Sequence, residues 1–280
     1  MRGCPHRCTY CNNVRLISMF GNNHIRFKGV DKSIEEIEQA LALHPYNGVW
    51  ISDDDFFLRS KSVIEDYVEK YKSRIGLPLG MQVSANNYTN EKLEILMDAG
   101  LIGIMLGVQS RSQRIMNEVF DRKVSVARAR KVVNEIKAYQ NGDDLRLILD
   151  FIIDNPYENE NDIIQTYKFI CDLPDKPTVI KMFSLAFYPG TPLYDKAVKD
   201  GYITPFNEES LRYFFRNTLT FQRNYVTFLL LVIKYLHRKG LRSKIPAFIL
   251  DLLVSRPVIF VMRIFPKSLW VYLSHFRRGA

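Results

Sequence analysis

The chain has 280 residues, a net charge of +9 and a hydrophobic content of 47%. That composition is globular and excludes an intrinsically disordered or low-complexity chain. Four cysteines are too few for a disulfide-stapled scaffold of this length, and Met1 is followed by no apolar signal stretch, so a reducing, cytoplasmic setting is expected.

The charge is unevenly spread. Residues 205–280 carry thirteen basic residues against Glu208, Glu209 and Asp251, whereas residues 1–204 are close to neutral. The sequence therefore predicts two parts, a near-neutral body over 1–204 and a basic, apolar helical extension over 205–280.

Taken in order, the chain starts with Arg2-Gly3-Cys4-Pro5-His6-Arg7-Cys8-Thr9-Tyr10-Cys11, a C-x3-C-x2-C spacing. Three thiolates on one short loop can hold three irons of a [4Fe–4S] cube and leave the fourth iron open. A zinc site is the other reading, with His6 or a distant residue as fourth ligand. The spacing favours the cube, because His6 lies inside the first loop and no second cysteine pair exists.

Ser33-Ile34-Glu35-Glu36 reads as a capping box opening a helix to about Leu43. Strands are then predicted at Gly48–Ser52, Leu79–Ser84, Ile102–Val108, Leu145–Ile153 and Thr178–Phe187. Helices are predicted between them, at about Ser60–Lys72, Asn90–Ala99, Ser112–Tyr139 with a break near Phe120–Lys123, and Asn161–Cys171. A last helix follows Pro189-Gly190-Thr191-Pro192, to about Lys199. Cys171 follows Tyr167, Phe169 and Ile170 in helical spacing and reads as a small buried hydrophobe. Strands alternating with helices predict an α/β fold, a parallel sheet closed or partly closed into a barrel with reactive groups at the strand ends. A strand is expected to deliver the cysteine loop, yet only three residues precede Cys4. The chain thus reads as a piece of a longer protein, or as one that starts late.

In the tail, Tyr225–Leu236 is apolar almost all round and must be buried or in lipid. Ile245–Val254, Val258–Phe265 and Leu269–Phe276 follow, cut by prolines and flanked by Arg and Lys. None reaches the roughly 20 residues that span a bilayer. Short helices packed on the body and helices lying in a membrane interface are both open, the second slightly ahead. No nucleic-acid-binding module is recognisable.

Further motifs carry a resemblance. Arg2-Gly3-Cys4-Pro5 opens the cysteine loop, and Asp53-Asp54-Asp55-Phe56-Phe57 follows a strand. Gly107-Val108-Gln109-Ser110 ends another strand, and Tyr188-Pro189-Gly190-Thr191-Pro192-Leu193-Tyr194 comes after the last. Together with the cysteines, from about Arg2 to Gly201, these resemble the radical S-adenosylmethionine (radical SAM) enzymes, most like the branch that often carries an N-terminal cobalamin-binding domain. The resemblance implies a partial (β/α)6-type TIM-like barrel lacking its first strand. It implies that Cys4, Cys8 and Cys11 ligate a [4Fe–4S] cluster, that Tyr10 lies beside the adenine of SAM, and that Ser84 and Gln109 meet its amino-acid or ribose part. The open iron would chelate SAM, and one electron from the cluster would cleave it to a 5′-deoxyadenosyl radical for C–H activation. A reductant such as flavodoxin or ferredoxin, a small-molecule or lipid-like substrate and, in the full-length protein, cobalamin-linked methyl transfer are implied with it. Phe151-Ile152-Ile153-Asp154-Asn155-Pro156-Tyr157-Glu158-Asn159 departs from the pattern, with Asp154 and Tyr157 replacing two glycines. The competing reading is a non-catalytic metal-binding module, zinc or a degenerate cluster, acting as a membrane-associated interaction protein.

Overall fold

The computed structural model describes residues 1–140, 145–175, 178–205 and 224–275. Arg212, Arg216, Arg223, Arg277 and Arg278 of the basic tail, and Phe276 at the end of its last apolar segment, lie outside them. Five strands form one sheet in the order β1 (Val49–Ile51), β2 (Leu79–Val83), β3 (Leu101–Gln109), β4 (Arg146–Ile153) and β5 (Thr178–Ser184). All are parallel, and each neighbours its predecessor in the chain. Consecutive order is that of a singly wound βα barrel sheet and differs from the reversing order of a doubly wound one.

The helices are α1 (Asn13–Phe20), α2 (Val30–Leu43), α3 (Lys61–Arg74), α4 (Asn90–Asp98), α5 (Val126–Ala138), α6 (Glu160–Cys171) and α7 (Pro192–Lys199). In the tail follow α8 (Tyr225–Arg238), α9 (Ala247–Leu253), α10 (Arg256–Met262) and α11 (Lys267–His275). Their starts follow from local chemistry. Ser60 accepts the Val63 N–H, Thr89 the Lys92 N–H, and Asn159 and Asp162 form a capping box. Ile64, Tyr67, Val68 and Tyr71 make the buried stripe of α3. Gly100, at φ +82, supplies the left-handed turn between α4 and β3.

Two expectations are corrected. The helix expected to open at Ser33 begins at Val30, and the Ser33 hydroxyl donates to the Gly29 carbonyl, so Ser33 sits inside the helix and does not cap it. The fifth strand ends at Ser184, before the Pro189 turn.

The chain divides into two compact units. The first is Met1–Arg7, Asn13–Gly107 and Ala127–Leu149; the second is Cys8–Asn12, Val108–Val126 and Asp150–Ala280. In the first, α3 packs against both α2 and α4, β1 against β2, and Leu79, Met81 and Ile104 of the strands are fully buried. In the second, α8 packs along α6, so its apolar surface is buried within the protein. Cys171 is buried there, as its neighbours suggested.

Candidate functional site

Cys4 belongs to the first unit. Arg2 and Arg26 exchange two backbone hydrogen bonds of 2.9 Å. Gly3 takes φ +89, and a Cβ there would lie 2.4 Å from the His24 carbonyl oxygen, so only glycine fits. The Gly3 N–H donates to Asp54 Oδ2 (3.1 Å), and Asn13 Nδ2 donates to Asp54 Oδ1 (2.9 Å). His24 Nε2 lies 2.8 Å from the Cys4 carbonyl oxygen. The middle carboxylate of Asp53-Asp54-Asp55 therefore holds the backbone that delivers Cys4.

Asp54 itself is exposed, whereas its two neighbours Asp53 and Asp55 are buried. Asp53 pairs with Arg59 Nη1 at 2.6 Å. Asp55 caps the short 3-10 turn Phe56–Leu58 and also accepts from the Ser84 N–H (3.1 Å) and Asn87 Nδ2 (2.7 Å). Burial raises the Asp55 pKa, and these bonds oppose the rise. Ser84 is buried just past β2, where its hydroxyl accepts the Asn86 N–H at 3.4 Å.

Cys8, Tyr10 and Cys11 belong to the second unit, where long-range bonds fix their loop. The Thr9 N–H donates to the Phe120 carbonyl (3.0 Å), and the Thr9 hydroxyl donates to the Val119 carbonyl (2.5 Å). The Leu193 N–H, at the start of α7, donates to the Thr9 carbonyl (3.1 Å). Thr191 shapes that helix start by accepting the Tyr194 N–H and donating to the Tyr188 carbonyl. The Pro-Gly-Thr-Pro-Leu-Tyr motif thus acts as a clamp on the cysteine loop.

Beside the loop, Arg122 Nη1 donates to the Tyr10 hydroxyl (2.9 Å), and the Tyr10 ring meets Phe120 edge-on at 4.7 Å. Burial raises the pKa of both Cys8 and Tyr10, and the Arg122 guanidinium opposes the rise at each. Nothing local in the sequence marks Arg122 or Phe120; they lie in the break after a π-turn at Ile115–Val119.

Gln109 ends β3 with φ +66, a conformation few residues other than glycine adopt. Next to it, the Ser110 hydroxyl donates to Glu158 Oε1 (3.2 Å), and burial pushes the Glu158 carboxyl up to about 8. Asp154, where the resemblance expects glycine, keeps a glycine-like φ of +60, so the backbone path survives the substitution. Tyr157, at the second glycine position, instead sends its hydroxyl to Asp200 (3.0 Å) and packs on Tyr202.

A further pair was not anticipated. In a parallel ladder a carbonyl takes the N–H of the residue after its neighbour. The Leu185 N–H to Ile153 carbonyl bond (2.9 Å) therefore places Ile153 beside Ser184 and, three residues back, Asp150 beside Lys181. Both lie on the half-open sheet face with Ile152 and Phe183. Asp150 Oδ1 is buried without a hydrogen-bond partner among the described residues; burial raises its pKa, and Lys181 opposes the rise.

The sequence profile of the radical SAM superfamily matches residues 1–170. No curated protein sequence matches the chain. Among solved structures, it is similar to TsrM from Kitasatospora setae, a radical S-adenosylmethionine methyltransferase with cobalamin and a [4Fe–4S] cluster bound, at 15% identity and TM-score 0.54. That match covers 71% of this chain and 36% of TsrM, so the chain spans about a third of that protein. It is also similar to methylornithine synthase (PylB), at 14% identity and TM-score 0.56, over 90% of this chain and 66% of PylB. Coproporphyrinogen III oxidase (HemN) from Escherichia coli, a radical SAM enzyme, is similar at 14% identity and TM-score 0.53, over 76% of this chain and 49% of HemN. At these identities the likeness is one of fold.

Proposed function

The chain belongs to the radical SAM superfamily, and from that premise we propose that it is an enzyme body that holds a [4Fe–4S] cluster on Cys4, Cys8 and Cys11, with S-adenosylmethionine beside it. The donor set fits: three thiols within one short loop offer one ligand to each of three irons. Among the described residues, no three His, Cys, Asp or Glu side chains gather as ligands of one metal ion. When bound, the cluster supplies the electron that cleaves SAM reductively.

The chain's own residues have definable tasks in this reading. Cys8 must lose its proton to ligate, which its burial opposes and Arg122 favours. Arg122 occupies the Tyr10 hydroxyl, leaving the backbone and ring of Tyr10 for the adenine. Ser84 and Gln109 offer polar strand-end groups to the amino-acid or ribose part of SAM. Gln109 has the stronger claim, because strained backbone persists where the surroundings impose it. Asp150 and Lys181 present opposite charges on the open sheet face, suited to a substrate with polar groups of both signs. Flavodoxin or ferredoxin would serve as reductant. Cobalamin-linked methyl transfer by the whole protein draws its support from the TsrM fold and from the cysteine-loop motif. A cobalamin requirement for methyl transfer would test it.

The observation that carries the proposal is the fixed loop of Cys8, Tyr10 and Cys11, tied to Phe120 and Leu193 and faced by Arg122. The test is anaerobic reconstitution with iron and sulfide, reduction with dithionite and assay of 5′-deoxyadenosine from SAM. Product that disappears in Cys8→Ala supports the proposal. Stoichiometric zinc with no acid-labile sulfide would replace it with the metal-module reading.

A further inference from the structure

The last three helices are two-sided. Their inner residues Leu250, Ile259 and Trp270 are buried in the second unit. Tyr167 and Tyr225 donate their hydroxyl protons to the Leu250 and Leu253 carbonyls (3.2 and 3.1 Å). Trp270 sits among the rings of Tyr225, Phe228 and Phe265. These contacts fix which side faces out.

The outward side carries large apolar groups. Phe248 is 70% exposed, Phe260 71% and Ile264 77%, and Leu252 and Tyr272 are exposed with them. Phe248 and Leu252 are four apart and so share one face of α9. Single exposed apolar side chains are ordinary on a soluble protein, but several on consecutive short helices mark an interaction surface.

The charges choose the partner. Lys244, Arg256 and Lys267 are exposed on the same segment and have no acidic partner among the described residues. Asp251 is the one acidic residue between 224 and 275, and Lys168 lies 3.3 Å from it. In a symmetric pair of copies joined through this surface, these cations would face like charges. An anionic surface answers both the charge and the apolar groups. Among the described residues no helix is long and apolar enough to cross a membrane, so the fitting geometry is adsorption.

We propose that the outer face of α9–α11 docks on an anionic lipid bilayer. Phe248, Leu252, Phe260 and Ile264 enter the headgroup–acyl boundary, and Lys244, Arg256 and Lys267 meet lipid phosphates. This inference does not rest on the enzymatic reading.

The test is co-sedimentation of the full chain with vesicles of pure phosphatidylcholine and with vesicles containing phosphatidylglycerol. Binding is expected to the anionic vesicles and to weaken with added salt. Phe248→Ser/Phe260→Ser/Ile264→Ser should lose at least about tenfold in partitioning, and Arg256→Gln roughly fivefold. Circular dichroism of each variant should remain that of the parent, because these side chains are exposed. Failure to bind anionic vesicles, or equal binding by the triple variant, would overturn the proposal. So would a dimer in light scattering that the triple substitution dissociates, which would assign the face to a second copy.

Discussion

Arg122 serves Cys8 and Tyr10 at once, and its charge is what favours a thiolate at a buried sulfur. Arg122→Gln should slow alkylation of Cys8 near pH 8 by roughly threefold to tenfold. Arg122→Lys should restore much of the rate, because it keeps the charge. Peptide mapping after timed iodoacetamide treatment reads this out, and an unchanged rate would remove the electrostatic role. Glu158 offers a second residue-scale test. Its folded value near 8 lies above its ordinary 4.5, so between these values the folded chain binds the extra proton. Stability from this group is full below about pH 4.5 and falls as pH rises, by at most roughly 1.4 kcal/mol per unit. Glu158→Gln should flatten urea-unfolding midpoints across that range. Asp154 predicts a contrast: Asp154→Gly should be neutral or stabilise by up to about 1 kcal/mol, while Asp154→Val should cost about 1–3 kcal/mol, measured by the same unfolding curves.

Among the elements, α8 carries a pH dependence of opposite sign. His237 is buried on it, with Nε2 2.6 Å from the Pro174 carbonyl, and burial lowers its pKa. It is neutral in the fold, so its contribution is present above the ordinary value of 6.5 and is lost as pH falls below it. Acidification should therefore loosen α8 against α6, seen as fading near-ultraviolet dichroism from Trp270, which packs on Tyr225 and Phe228 of that helix. His237→Gln should abolish this acid limb. The elements also show what a sequence reveals. The strands were legible as short apolar runs, β2 being buried at four of its five positions, and the end of α4 was legible from Gly100. Helix α1 was not, since it is only eight residues long and buries Ile17 alone. Ser33 misled because its neighbours imitate a capping box. The cysteines declared themselves by spacing, whereas Arg122, the Asp54–Gly3 bond and the Asp150–Lys181 pair exist only once distant segments meet.

For the whole molecule, cluster binding should be linked to folding, because an unfolded chain does not hold three thiolates in place. Anaerobic removal of iron by a chelator should lower the thermal midpoint of the reconstituted protein by several degrees. Cys8→Ala should start from the lower midpoint and show no further drop. The clamp on the cysteine loop also has a consequence in time. Thr9 is tied to Val119, 110 residues later, and to Leu193 beyond it. On the ribosome these thiols emerge well before Val119, Phe120 and Leu193, the residues that fix their loop. Throughout that interval Cys4, Cys8 and Cys11 are open to oxidants and to stray metals. Cluster insertion therefore belongs after translation of the body, and oxygen during synthesis should cost more active protein than the same exposure afterwards.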